Sequence, residues 1–290
     1  MQQTIKKSVT VSGVGLHTGC DVSLWLRPAP EDTGIVFRRT DLGNFKIEAV
    51  RERVSRVVLA TTLMKKGVML STVEHLLSAL YGLGINNIYI DIDSLEVPIL
   101  DGSALPFVEI VNGAGVQRQD RERTFLKVEK PFRLENDDKF ISIEPADTFR
   151  ITYEIDFTHP SIGQQTLDLE ILPENYSREI AFARTFGFYS EVEEMYKKGL
   201  IRGGSFENAV VLSDEGVMNG NLRSKDEFVR HKTLDLIGDI SLCGYPLIGH
   251  IKAFKAGHAL HTDLATALAR NQSICRKVRE SELVSQAVNF

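Results

Sequence analysis

The spacing of apolar positions changes along the chain and divides it. Up to about residue 60 the alternation is two-fold: VTVSGVGLH, DVSLWLRP, GIVFRRT and VSRVVLATT read as strands, set apart by Gly, Pro and Asp. STVEHLLSALYGLG then switches to helical spacing, with Leu76, Leu77, Leu80 and Leu83 in phase, Ser71 or Thr72 as the expected cap, and Gly82 and Gly84 at the end. INNIYIDID reads as a strand, VPILDG as a short strand into a turn, and SALPFVEIVNGAG as a second helix. The polar run QRQDRER, residues 117–123, is the best domain boundary. Beyond it TFLKVEKPFRL, DKFISIEPA, FRITYEIDF and QQTLDLEI are strand-like. Helical character returns at Pro173 and in FYSEVEEMYKKGL; NAVVLS is a strand, KDEFVRHKTLDLIGDISLCG a long helix, LIGHIKAFKAG a strand and HALHTDLATALARN the last clear helix.

The expected fold is therefore α+β. Two domains of similar strand-then-helix topology are predicted, each a sheet packed on helices: an N-terminal unit over residues 1–120 and a C-terminal unit over 124–290. The glycine-rich GLIRGGSFEN marks an inserted element or mobile loop near 190–210.

Composition changes little in that picture. The 290 residues are long enough for two modest cores, with 43% hydrophobic and 25% charged residues. A net charge of -5 without a basic stripe argues against nucleic acid as a partner. No signal peptide follows Lys6 and Lys7, and no segment reaches the ~20 apolar residues of a membrane span. Cys20, Cys243 and Cys275 are odd in number and form no CxxC pair, so neither a disulfide framework nor a thiolate zinc site is expected. A monomer in the reducing cytoplasm fits these features.

Three histidine contexts carry candidate chemistry. In RHKTLDLIGD, His231, Asp235 and Asp239 share one helical face, so an imidazole and a carboxylate at i and i+4 can converge on one divalent metal. On spacing alone a solvated polar face is the better reading, because such pairs are common. Leu234, Leu236, Ile237 and Ile240 make that helix apolar, however, and a charged stripe on it then needs a partner. The second context is Glu74-His75, in a strongly apolar helix. It is either a dipole-favoured glutamate beside a satisfied core histidine, or a general base beside a third metal ligand. The third is KAGHALH, where His258 follows a glycine at a strand-to-helix corner and could act as a general acid; otherwise it is an ordinary first helical residue and His261 a surface one. HExxH, a P-loop, GxSxG and a complete GxGxxG are all missing.

Read in order, VSGVGLHTG, STVEHLLSAL, VPILDGSALPF, ARTFGF, RHKTLDLIGD and KAGHALH resemble the motifs of the UDP-3-O-acyl-N-acetylglucosamine deacetylases, zinc enzymes of the committed step of lipid A synthesis in Gram-negative bacteria. The resemblance runs from about Thr4 to about Ala267. It implies one Zn2+, with Fe2+ as the other candidate metal, held by His75, His231 and Asp235. It implies Glu74 as general base, His258 as the acid that protonates the leaving amine, and Asp239 as the carboxylate orienting it. Thr185 would hold the oxyanion, Lys232 would line the site, and His17 would stand near the substrate entrance.

The implied substrate is a UDP-linked acylated glucosamine. Its acyl chain would lie along the insert, with Leu200, Ile201, Phe206 and Val210 as lining and Phe186 and Phe188 beside Thr185; Phe157 is the candidate platform for the UDP end. Ligands from both halves put the expected site in the cleft between them. Three rival readings stay open at this point: a zinc hydrolase of a related amide, a non-catalytic sugar-nucleotide or lipid-binding protein of the same fold, and a structural metal site.

Overall fold

In the computed structural model, residues 1–57 and 59–287 are described. Residue 58 of the fourth expected strand and residues 288–290 of the expected C-terminal unit lie outside them. The architecture is mixed α and β, as the changing periodicity predicts.

The echo between the two halves is exact in strand order. In the first, Val9–Val14, Asp21–Pro28, Ile88–Ile92, Ile35–Arg39 and Phe45–Glu48 are neighbours in that sequence. In the second, Phe132–Asn136, Lys139–Glu144, Leu247–Phe254, Phe149–Asp156 and Gln164–Glu170 repeat it. Within each set of five the central strand follows a helix in sequence and pairs parallel with one earlier strand: Ile88–Ile92 with Ile35–Arg39, and Leu247–Phe254 with Phe149–Asp156. The other pairings within these sets are antiparallel; outside them, Leu247–Phe254 also pairs parallel with Thr124–Val128, which pairs antiparallel with Cys275–Arg279. Alternation explains the strands: Val22, Leu24 and Leu26 are buried on one side of Asp21–Pro28, as are Phe149, Ile151, Tyr153 and Ile155 on Phe149–Asp156.

Two helices bring the halves together. Glu74–Gly82 and Glu227–Ser241 are buried on nearly every side and pack on each other, Leu105–Ala114 beside the first and His258–Arg270 beside the second. They approach closely at Gly238, where a Cβ would stand 2.2 Å from the carbonyl oxygen of Glu74. The buried apolar residues of both halves join in one cluster.

Several details differ from expectation. Neither Ser71 nor Thr72 caps the first helix; it starts at Glu74, and the Thr72 hydroxyl donates instead to the buried Glu96 carboxylate at 2.9 Å. VPILDG forms only an isolated bridge between Pro98 and Gly15. Past Val54–Arg56, Thr62–Lys65 and Val68–Leu70 form a hairpin closed by Lys66 and Gly67, both at positive φ, as a type I′ turn requires. After the expected last helix come one more strand, Cys275–Arg279, and a helix, Glu280–Ala287. The 190–210 element is a small unit: Phe186–Phe188, helix Tyr189–Lys197, then Val210–Ser213 paired parallel with the first.

Candidate metal centre

Helix geometry places the ligand candidates. His231 and Asp235 project from one face of Glu227–Ser241, four residues apart, toward the first turn of Glu74–Gly82. His231 Nε2 lies 3.3 Å and His75 Nε2 3.7 Å from Asp235 Oδ1. One donor atom from each of the three falls within 4.8 Å of the others. The imidazole rings meet edge to face with centroids 5.0 Å apart.

All three are buried, His231 and Asp235 at 2% exposure, so the stripe is not a solvated face. His231 Nδ1 lies 3.0 Å from the Ala183 carbonyl and donates to it, which leaves the Nε2 lone pair for a metal. Burial pushes the His231 imidazole down to about 4 against the pull of Asp235, so it is neutral, as ligation needs. Asp235 is held well below the carboxylate range: burial opposes this, but His231 and the Lys232 ammonium, 3.0 Å away, prevail. His75 is no satisfied core histidine, since its buried Nδ1 has no partner among the described residues. Two imidazoles and a carboxylate at this spacing fit one divalent ion at ligand distances of ~2.1 Å. Among the described residues no further His, Cys, Asp or Glu joins that cluster, which therefore offers three protein donors, the number that leaves a tetrahedral zinc one open position.

Beside these three donors stand a carboxyl and an imidazole. Glu74 Oε1 and His258 Nε2 face each other across 4.0 Å. Glu74 Oε2 accepts the Thr61 amide at 3.1 Å, and burial raises the carboxyl. His258 Nδ1 donates to Asp239 Oδ2 at 2.7 Å. Burial alone would lower the His258 imidazole; the charge and hydrogen bond of Asp239 outweigh it and hold it at about 9. Asp239, fully buried, stays below its usual range despite burial, chiefly through His258.

Thr185 is fixed by backbone bonds, its amide donating to Gly102 O and its carbonyl accepting from Val210, both at 2.8 Å. It stands two residues from the carbonyl that holds His231. The next-door Arg184 forms a two-pronged pair with the fully buried Glu227, at 2.8 and 3.1 Å. Phe186 packs edge-on against Phe157, Phe228 and His231, with the Lys232 ammonium 5.5 Å from its centroid. Phe157 is thus half-buried in an aromatic group with Phe186 and Phe188.

His17 and Leu200 belong to another contact. The His17 carbonyl accepts the Arg202 amide at 3.2 Å, and its own amide donates to Glu96 at 2.9 Å. Leu200 and Phe206 on the insert are 39% and 55% exposed. Among the described residues, no hydrogen bond or ring contact ties His17 or Leu200 to the ligand triad.

Sequence reasoning missed four contributors: Thr61, Tyr153, the Ala183 carbonyl and His261. His261 is not on the surface but fully buried. The HxxH spacing from His258 was a visible signal for it; the others carry none.

A profile of the UDP-3-O-acyl N-acetylglycosamine deacetylases matches residues 2–270. The chain belongs to this family. UDP-3-O-acyl-N-acetylglucosamine deacetylases of Solibacter usitatus, Oleidesulfovibrio alaskensis and Myxococcus xanthus are 47%, 48% and 46% identical to it. The alignments cover 98%, 95% and 100% of this chain and 97%, 91% and 93% of the relatives. The family's deacetylases are hydrolases of an amide. Among the described residues no helix is long and apolar enough to cross a membrane.

Proposed function

We propose that this chain hydrolyses the 2-N-acetyl group of UDP-3-O-acyl-N-acetylglucosamine, giving acetate and the free 2-amino sugar nucleotide in the committed step of lipid A synthesis. The observation that carries the reading is the Glu74–His258 pair, 4.0 Å apart and adjoining a buried His-His-Asp donor set. His75, His231 and Asp235 would hold zinc; imidazole and carboxylate also accept iron(II). When bound, such an ion supplies Lewis acidity, polarising the acetamide carbonyl and lowering the pKa of a water.

The chain's own residues supply the rest. Glu74, raised by burial, takes a proton from the attacking water. Thr185 offers its hydroxyl to the oxyanion that develops on the carbonyl oxygen. An amine is a poor leaving group and must be protonated as the C–N bond breaks. His258 carries that proton on Nε2, since its Nδ1 is committed to Asp239. Lys232 adds positive charge at the edge of the site, next to Asp235. We assign the sugar-nucleotide and acyl ends to His17, Phe157, Phe186 and Leu200; Leu200, exposed on the insert, suits an alkyl chain. The repeated five-strand order supports two units, over 1–120 and 124–290, that meet at the metal.

The test is the Glu74→Ala variant, assayed for acetate release and for bound metal. Bound metal without turnover supports the assignment; wild-type turnover sinks it.

A further inference from the structure

Asp239 is shared by two imidazoles, and the reaction above uses only one of them. Its Oδ2 lies 2.7 Å from His258 Nδ1 and 3.0 Å from His261 Nδ1, while Oδ1 accepts the Thr61 hydroxyl at 2.5 Å. His261 Nε2 is 3.0 Å from the Tyr153 hydroxyl, which is 2.6 Å from the Ala256 carbonyl. Ala256 leads into Gly257, where the helix that carries both histidines begins. His261, Tyr153 and Asp239 are all at 0% exposure, so this chain of bonds has no outlet for a proton. What it can do is hold a carboxylate still.

We propose that His261 is a second positioning residue for the acid, fixing Asp239 through its Nδ1–H so that His258 presents a protonated Nε2 to the leaving amine. The inference rests on the reading of His258 as proton donor.

Charge accounting supports it. One buried carboxylate balances one imidazolium, and two cations here would repel. Burial lowers His261, outweighing Asp239, while His258 moves the opposite way. The charged groups nearest the pair are Asp239, Glu74 and Asp235. Asp239 Oδ2 can only accept, so a neutral His261 at 3.0 Å from it carries its proton on Nδ1. Asp239, His258 and His261 also lie close enough to surround a cation. Both Nδ1 atoms, however, are at hydrogen-bond distance from the carboxylate, where they act as donors and not as ligands.

The experiment measures acetate release by the metal-loaded full chain across pH for His258→Ala, His261→Asn, His261→Gln and His261→Leu, with metal content and thermal midpoint for each. An Asn amide can stand where Nδ1–H stands; Gln and Leu cannot supply that donor. Leu and Gln should lower kcat about ten-fold with KM within about two-fold, and move the alkaline limb of kcat/KM upward, because Asp239 then shares its charge with fewer donors. Asn should recover kcat to within about three-fold and keep the wild-type limb. Folded Leu and Gln variants with wild-type kcat and limb would overturn the proposal. So would Asn as slow as Leu or Gln with the limb unmoved, since that is a packing effect. If Leu fails to fold, the Asn and Gln pair decides by the same criteria. A fully active His258→Ala would instead overturn the reading beneath it, whatever His261 does.

Discussion

Replacing Gly238 by Ala should both destabilise the protein and loosen the metal centre. A Cβ at 238 would stand 2.2 Å from the Glu74 oxygen, 2.8 Å from its carbonyl carbon and 3.0 Å from its Cα. These are backbone atoms in a helix, so no rotamer change relieves the contact. The two helices must part by about 1 Å to reach an ordinary separation. Alanine gains about 1 kcal/mol over glycine in a helix interior. Overpacking costs about 1–3 kcal/mol, and a backbone clash belongs at the upper end. The net loss is about 2 kcal/mol, read by urea unfolding of the metal-free protein. The displaced residue adjoins His75, and ligand distances are set within about 0.2 Å, so metal affinity should fall at least about ten-fold. Gly113, also helical, has nothing within 4 Å of its would-be Cβ, so Gly113→Ala should gain about 0.5–1 kcal/mol and leave metal affinity unchanged. A Gly238→Ala variant as stable and as tightly metallated as wild type would refute this account of how the helices set the site.

Other outcomes follow from the same geometry. The alkaline limb of kcat/KM should reflect His258 at or below about 9, since a bound cation can only pull it down; Asp239→Asn removes the group that raises it, so the limb should move to lower pH, and an unmoved limb would exclude the pair. Glu227→Gln leaves the Arg184 guanidinium and the Arg223 amide facing a neutral amide; urea unfolding should show a loss of about 3 kcal/mol, and kcat should fall because Ala183 and Thr185 flank that arginine. Thr61→Val removes one donor from Asp239 but keeps the amide on Glu74, so kcat should fall several-fold with metal content intact; lost metal would point to collapse of the site instead.

The legibility of this molecule divides by what carries the information. Strands such as Asp21–Pro28 and helices such as His258–Arg270 were readable because burial on a regular element repeats with its period. His231 and Asp235 were readable as a pair but not as a site, because spacing on one helix does not reveal what faces it. The facing helix does, through the close approach at Gly238, and it turns a polar stripe into a buried triad. The Ala183 carbonyl has no side-chain identity to read. Thr61 and Tyr153 look like ordinary strand residues until the fold brings them 178 and 108 positions along the chain to Asp239 and His261. The Thr72 cap failed for a related reason: its hydroxyl is taken by Glu96, a partner 24 positions away.

The central claim is a metal-dependent amide hydrolysis at the His75–His231–Asp235 centre. Its most direct test is metal analysis of the purified chain combined with acetate release from UDP-3-O-acyl-N-acetylglucosamine, before and after a chelator and again after zinc is restored. The account predicts one metal ion per chain, acetate in step with the free amine, loss of both with the metal, and recovery on zinc addition. Acetate release at the wild-type rate from metal-free protein, or no release from a chain carrying one zinc, would contradict it.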